Sequence, residues 1–92
     1  MFTATLEAKT PAPVRKNLAE FAPGQAGVVT EILGQADLTL RMMEIGLVPG
    51  VRVRYLRAAP LGDPIQVEVE GFLLSLRKSE AEAVILNTSE RE

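Results

Sequence analysis

Glu68 and Glu70 stand two residues apart, as do Glu80 and Glu82, and Arg52, Arg54, Arg57, Arg77 and Lys78 surround them in sequence. Paired carboxylates in unlike environments could divide general-acid and general-base work. Clustered carboxylates could hold a hard cation, and an exposed arginine could stabilise charge on a phosphoryl group. The partners such chemistry needs are mostly missing. The 92-residue chain has no histidine and no cysteine, which removes the commonest general base, the thiolate nucleophile and the soft metal ligands together. Ser75, Ser79 and Ser89 have no imidazole to activate them; Lys9, Lys16 and Lys78 could serve only in a Ser–Lys pair, and Ser79 beside Lys78 reads better as a helix cap. Glu68 and Glu70 fall on one face of an alternating, solvated stretch, so nothing separates their roles. Glu80 and Glu82 are two apart on a helical turn and do not face each other. The chain is expected not to be an enzyme and to hold no cofactor. Its carboxylates leave room only for weak divalent cation binding at the surface, and none for a dedicated iron site.

Formal net charge is −2, with one Tyr, three Phe and no Trp. That balance argues against a binder of nucleic acid, which needs phosphate-neutralising cations and stacking platforms, and against an aromatic groove for polyproline peptides. No apolar run approaches the roughly 20 residues that span a bilayer, and the N-terminal stretch lacks the apolar core of a secretory signal. A cytoplasmic protein that does not itself span a membrane is expected. The length suits one small domain with a thin core.

Residues 1–16 mix Thr, Ala, Pro and charges without a period, and Pro11 and Pro13 interrupt regular structure; this stretch is expected to be a flexible tail. Leu18 and Phe21 suit a single helical turn, and Pro23-Gly24 fits the centre of a type II turn. Residues 27–33 alternate and are β-branched, a first strand with Val28, Thr30 and Ile32 on one side and Val29, Glu31 and Leu33 on the other. Leu38, Met42 and Ile45 then recur as one stripe of a helix over 38–45, with Asp37 as N-cap and Gly46 as its left-handed terminator. The strand 51–58 points Val51, Val53 and Tyr55 inward and Arg52 and Arg54 outward. Two further strands meet at Glu70-Gly71; a two-residue turn there opposes Val69 to Phe72, Val67 to Leu74 and Ile65 to Leu76, and sets Glu68 and Glu70 against Arg52 and Arg54. Ser79 and Glu82 match a capping box for one helical turn, 83–87 reads as a last strand, and 88–92 as a polar tail. About five strands in roughly 70 residues, with one short helix after the first strand and a helical turn before the last, favour a small SH3-like barrel over 17–87.

Between two of these strands lies "RAAPLGDP" (57–64), where Pro60, Gly62 and Pro64 cannot sit within a ladder and must shape a formed loop. Asp63 is suited to an Asx-type turn with nearby backbone. Leu61 stands at the tip, and an apolar side chain on a rigid exposed loop loses little entropy on docking. Arg57, Pro60, Leu61, Gly62, Asp63, Pro64 and Arg77 are therefore the candidate partner-binding residues.

"MEIGLVPG" (43–50), "APLGDP" (59–64) and "SLRKSEA" (75–81), in this order and spacing, resemble the FeoA family of small bacterial ferrous-iron-uptake proteins. The resemblance covers about residues 17–87. It implies an SH3-like barrel and a partner, the FeoB-like ferrous iron transporter, engaged through its cytosolic GTPase region. An accessory that binds and modulates that transporter is the expected function, as a monomer or weak homodimer. Arg41, Arg57 and Arg77 are the arginines that could act on nucleotide turnover. Similar domains also close the C-terminus of iron- and manganese-dependent repressors, whose DNA-binding winged helix has no counterpart in this sequence. The alternative expectation is a module that binds and senses a divalent transition metal.

Overall fold

The computed structural model describes residues 13–89. In chain order they form β1 (Pro13–Asn17), a 3-10 turn (Leu18–Glu20), β2 (Ala26–Ile32), α1 (Ala36–Glu44), β3 (Arg52–Ala58), β4 (Ile65–Val69), β5 (Phe72–Leu76), α2 (Lys78–Ala81) and β6 (Val84–Ser89). The strands make one antiparallel sheet in the order β1-β6-β2-β3-β4-β5. β2 to β5 follow one another as a meander, and β6 returns to lie between β1 and β2. The sheet is open, with β1 and β5 at its edges.

Among the described residues there are six strands where about five are expected, because the segment expected to be a tail supplies one. Pro13 opens β1, the strand position where a missing N–H costs least, and Val14 to Asn17 pair with Thr88 to Ile85. Residues 1–12 of the expected tail lie outside the described residues. At the other end β6 continues beyond 87: Thr88 is buried and its hydroxyl donates to the Ala26 carbonyl. The expected polar tail therefore begins no earlier than 90, and 90–92 lie outside the described residues. The described sheet runs from Pro13 to Ser89, past both ends of the 17–87 stretch.

Two irregularities bend the sheet round its core. Register shifts between Val29 and Glu31 in β2, and between Tyr55 and Arg57 in β3. Each leaves one extra residue on the bulged strand, which increases local twist and reverses the inward face beyond it. The even alternation expected along 27–33 therefore fails. Val29 is buried, but past the bulge Ile32 packs on the core while Glu31 turns outward to pair with Arg15. In β3, Val53 and Tyr55 point inward as expected, and Ala58 does so after the bulge. Gly27 in β2 is held by close approach: a Cβ there would stand 2.7 Å from the Asn87 carbonyl oxygen and 3.0 Å from the Phe21 ring.

One contiguous core joins Leu18, Phe21, Val29, Met42, Leu47, Val53, Tyr55, Ile65, Val67, Val69, Leu76, Ala81, Val84 and Leu86. Every strand from β2 to β6 contributes, so the sheet wraps this core, and α1 adds Met42 to it. α1 starts two residues earlier than expected, with Gln35 rather than Asp37 at the N-cap; Asp37 sits in the first turn, where a carboxylate still favours the positive end of the helix dipole. Its end follows the sequence closely. The Gly46 N–H bonds the Met43 carbonyl at 3.0 Å and the Leu47 N–H bonds Met42 at 2.9 Å, with Gly46 at φ +99°. This Schellman arrangement brings Leu47 back beside Met42, and both are fully buried. A nine-residue helix is unstable alone, and these two side chains fix it to the sheet.

The β4–β5 register is the expected one, with Val69 opposite Phe72, Val67 opposite Leu74 and Ile65 opposite Leu76. Glu70 (φ 51°) and Gly71 (φ 88°) both take the left-handed conformation that a type I′ turn demands.

Candidate functional site

The loop 59–64 is built from short-range bonds and one long-range one. The Gly62 N–H donates to the Ala59 carbonyl at 2.7 Å, closing a turn with Pro60 and Leu61 at its centre, and Ala59 N–H bonds the Pro64 carbonyl at 2.9 Å. Gly62 takes φ +87°, and the Asp63–Pro64 peptide is cis. Asp63 does not make the local Asx turn expected of it. Its carboxylate accepts from the Lys78 N–H at 3.0 Å, satisfying one of the unpaired donors at the start of α2. The "APLGDP" and "SLRKSEA" stretches are thus one structural unit, pinned together by Asp63.

Helix α2 also departs from the expected capping box. Ser79 lies inside the helix rather than at its N-cap, which is Arg77, and Glu82 is the C-cap. Glu80 plays the acidic part: its carboxylate accepts from the Arg77 N–H at 2.9 Å and pairs with the Arg41 guanidinium at 3.3 Å. Glu80 is buried, so this pair ties α1 to α2.

Of the expected partner-binding residues, Pro60, Leu61, Gly62, Asp63 and Pro64 form the loop, with Leu61 95% exposed at its tip. Arg57 lies at the end of β3, where its Nε donates to Gln66 at 2.9 Å. A recess of about 340 Å³ runs from Arg57 along Ala58, Ala59, Pro60, Pro64 and Gln66 to Ser75. Arg77 joins the unit through its neighbour Lys78. Arg41 and Arg57 both have partners, so among the described residues Arg77 alone of these three has an uncommitted guanidinium.

The expected facing of Glu68 and Glu70 with Arg52 and Arg54 is partly realised. Arg54 lies opposite Glu68 in the ladder, and the four side chains line one recess of about 330 Å³. They make no close ion pair; the Arg54 guanidinium donates instead to the Gly24 carbonyl at 2.9 Å. Among the described residues no three carboxylates come together as a metal site, and no helix is long and apolar enough to cross a membrane.

The larger apolar feature was not read from the sequence. A groove of about 530 Å³ lies between the end of α1 and the β4–β5 hairpin, lined by Met43, Ile45, Gly46, Val69, Phe72, Leu73 and Leu74 with Glu44 and Glu70 at its rim. Phe72 is 73% exposed, Leu73 61% and Met43 50%. A signal was present: in "GFLLSL" three apolar residues run consecutively, and a strand must turn one of any adjacent pair away from its buried face.

The FeoA domain model matches residues 16–87, most of the chain. The chain belongs to the FeoA family. A Porphyromonas gingivalis fusion of Fe(2+) transport protein A with the Fe(2+) transporter FeoB is 30% identical over 64 residues, 70% of this chain and 8% of the fusion. The chain thus spans only a small part of that relative. The solution structure of FeoA from Chlorobium tepidum is 38% identical, with a TM-score of 0.73 over 83% of this chain and 73% of that one. Zinc-bound FeoA from Stenotrophomonas maltophilia, described as a procaryotic SH3-domain protein, is 30% identical with a TM-score of 0.66, covering 76% and 87%. A manganese-dependent transcriptional repressor with manganese has a TM-score of 0.76 at 22% identity, over 85% of this chain and 38% of that one, which is a likeness of fold. FeoA is a family of small SH3-like accessory domains in ferrous iron transport, and the open six-stranded sheet described above is its fold.

Proposed function

We propose that this FeoA protein is a non-enzymatic, cytoplasmic accessory that binds a FeoB-type ferrous iron transporter and modulates its assembly, nucleotide turnover or opening. The observation that carries this reading is the Porphyromonas fusion, in which a relative of this chain is covalently joined to the transporter. Joining two proteins raises their effective concentration without any new contact, which serves a pair that works in association. The docking surface of this proposal is the unit formed by 59–64 with Arg57 and Arg77. It is rigid, since both turn bonds and the Asp63–Lys78 bond hold it, and it presents Leu61 to solvent. The partner surface is the transporter's cytosolic GTPase region.

An NMR titration of the labelled chain with that GTPase region, in each nucleotide state, tests the reading. Amide shifts clustered at 59–64, Arg57 and Arg77 support it, and an absence of shifts in every state sinks it. A second reading, a module that binds a divalent cation, draws on the zinc-bound Stenotrophomonas homologue. Anaerobic calorimetry with ferrous ion and with zinc tests it; saturable heat with affinity well below micromolar would favour it over surface association.

A further inference from the structure

We infer that the groove between α1 and the β4–β5 hairpin, together with the open edge of β5, receives an extended apolar segment of another protein that carries a lysine or arginine beside its apolar run. Two separate features converge there. The first is apolar surface: Met43, Ile45, Phe72 and Leu73 are all exposed, and they gather round one groove rather than being scattered. The second is backbone. β5 ends the sheet, and Phe72 and Leu74 bond inward to β4 as the hydrogen-bonded pairs of a two-residue hairpin, so the N–H and C=O groups of Leu73 and Ser75 face outward. Among the described residues nothing pairs with that edge.

An edge of this kind is usually blunted by a charge, a proline or a bulge. β5 has none of these: its sequence is FLLSL and its pairing with β4 runs without a shift. An added strand would bond to Leu73 and Ser75 through its main chain and set alternate side chains into the groove beside Phe72, Leu74 and Ile45.

Charge selects the occupant. The groove's only ionisable lining residues are Glu44 and Glu70. Glu70 also borders the recess that holds Arg52 and Arg54, whereas Glu44 meets no cation in either lining. Two copies joined face to face through this groove would bring acidic rims together. A heterologous segment with a cation near Glu44 would be matched, and like-charge contact disfavours the alternative. The groove shares no lining residue with the 59–64 loop, and the β5 edge meets the recess beside that loop only at Ser75; L73R and L61S therefore test the two surfaces separately.

The test is selection of random twelve-residue peptides on display against the intact chain, followed by titration of the enriched sequences. Expected are alternating apolar positions flanked by Lys or Arg, new protection of the Leu73 and Ser75 amides from hydrogen exchange on binding, and about tenfold or greater loss of affinity in L73R and in I45E. E44Q should weaken the cationic preference while leaving the apolar one, and L61S should bind as wild type. No enriched sequence, binding retained in L73R, or enrichment of anionic peptides overturns the inference. So does a dimer in sedimentation that L73R disperses, because the occupant would then be a second copy. Both L73R and I45E alter exposed side chains, and unchanged thermal unfolding separates lost binding from lost fold.

Discussion

Replacing Asp63 with alanine removes the acceptor of the Lys78 N–H while leaving the loop's own turn bonds in place. The effect should resemble loss of a helix cap supplied from elsewhere in the chain. A cap is worth typically about 1 kcal/mol, and the bond is exposed, which argues against a larger charge-assisted value. For a domain of this size that corresponds to a fall in Tm of about 4–8 °C. A second substitution isolates the bond. Lys78 is the first residue of α2, where proline is accepted, and Arg77 before it is extended (φ −69°, ψ 147°), the conformation that a following proline requires. K78P therefore deletes the donor without opposing the backbone. Measured by urea unfolding, D63A should cost about 1 kcal/mol in the wild-type chain and close to nothing in K78P. Equal cost in both backgrounds would refute the idea that Asp63 acts through that N–H. D63A should also loosen 59–64, read as faster amide exchange at Gly62.

Other substitutions test other parts of the structure. G27A places a methyl group 2.7 Å from the Asn87 carbonyl oxygen, and about 1–3 kcal/mol of destabilisation is expected in denaturant titration. M42A leaves a cavity where α1 meets the core and should cost about 2–5 kcal/mol, with loss of helical signal preceding no other change if unfolding is two-state. E80A removes the partner of both Arg77 N–H and Arg41, whereas E80Q keeps an acceptor for the cap; E80A should lower Tm clearly more than E80Q. L61S alters a side chain that touches solvent almost everywhere and should leave stability within about 0.5 kcal/mol, while abolishing any binding that depends on the loop tip, measured by titration with the transporter's GTPase region.

Local chemistry explains which elements were legible in the sequence. The β4–β5 register follows from two residues that tolerate a left-handed backbone between two alternating apolar runs, and α1 ends where Gly46 permits it. What escaped depends on distant parts of the chain. β1 looks like a broken tail until β6 is available to pair with it, and Thr88 is polar but buried because Ala26 offers an acceptor 62 residues away. The bulges in β2 and β3 come from the curvature of the whole sheet, which no alternation within one strand reveals. Asp63 suits a local turn when read with its neighbours alone, whereas its partner lies 15 residues on. Phe72 does share the apolar face of Val67 and Val69, as the pattern implies, but β5 is an edge and among the described residues Phe72 stays exposed at the hairpin end. The expected binding loop was visible through its prolines and glycine. The apolar groove needed α1 and the hairpin placed side by side before it became apparent.

The pairing of β1 with β6 has an architectural consequence. Pro13 stands opposite Ser89, so the two ends of the sheet lie about 5 Å apart on neighbouring strands, running in opposite directions. A domain built this way can be spliced into a host polypeptide as a plug-in cassette, its two connections leaving together from one side while the loop and the groove stay uncovered. The same closeness permits circular permutation: a short linker from 89 to 13 and new ends cut at Leu61-Gly62 would preserve every strand pairing of the sheet.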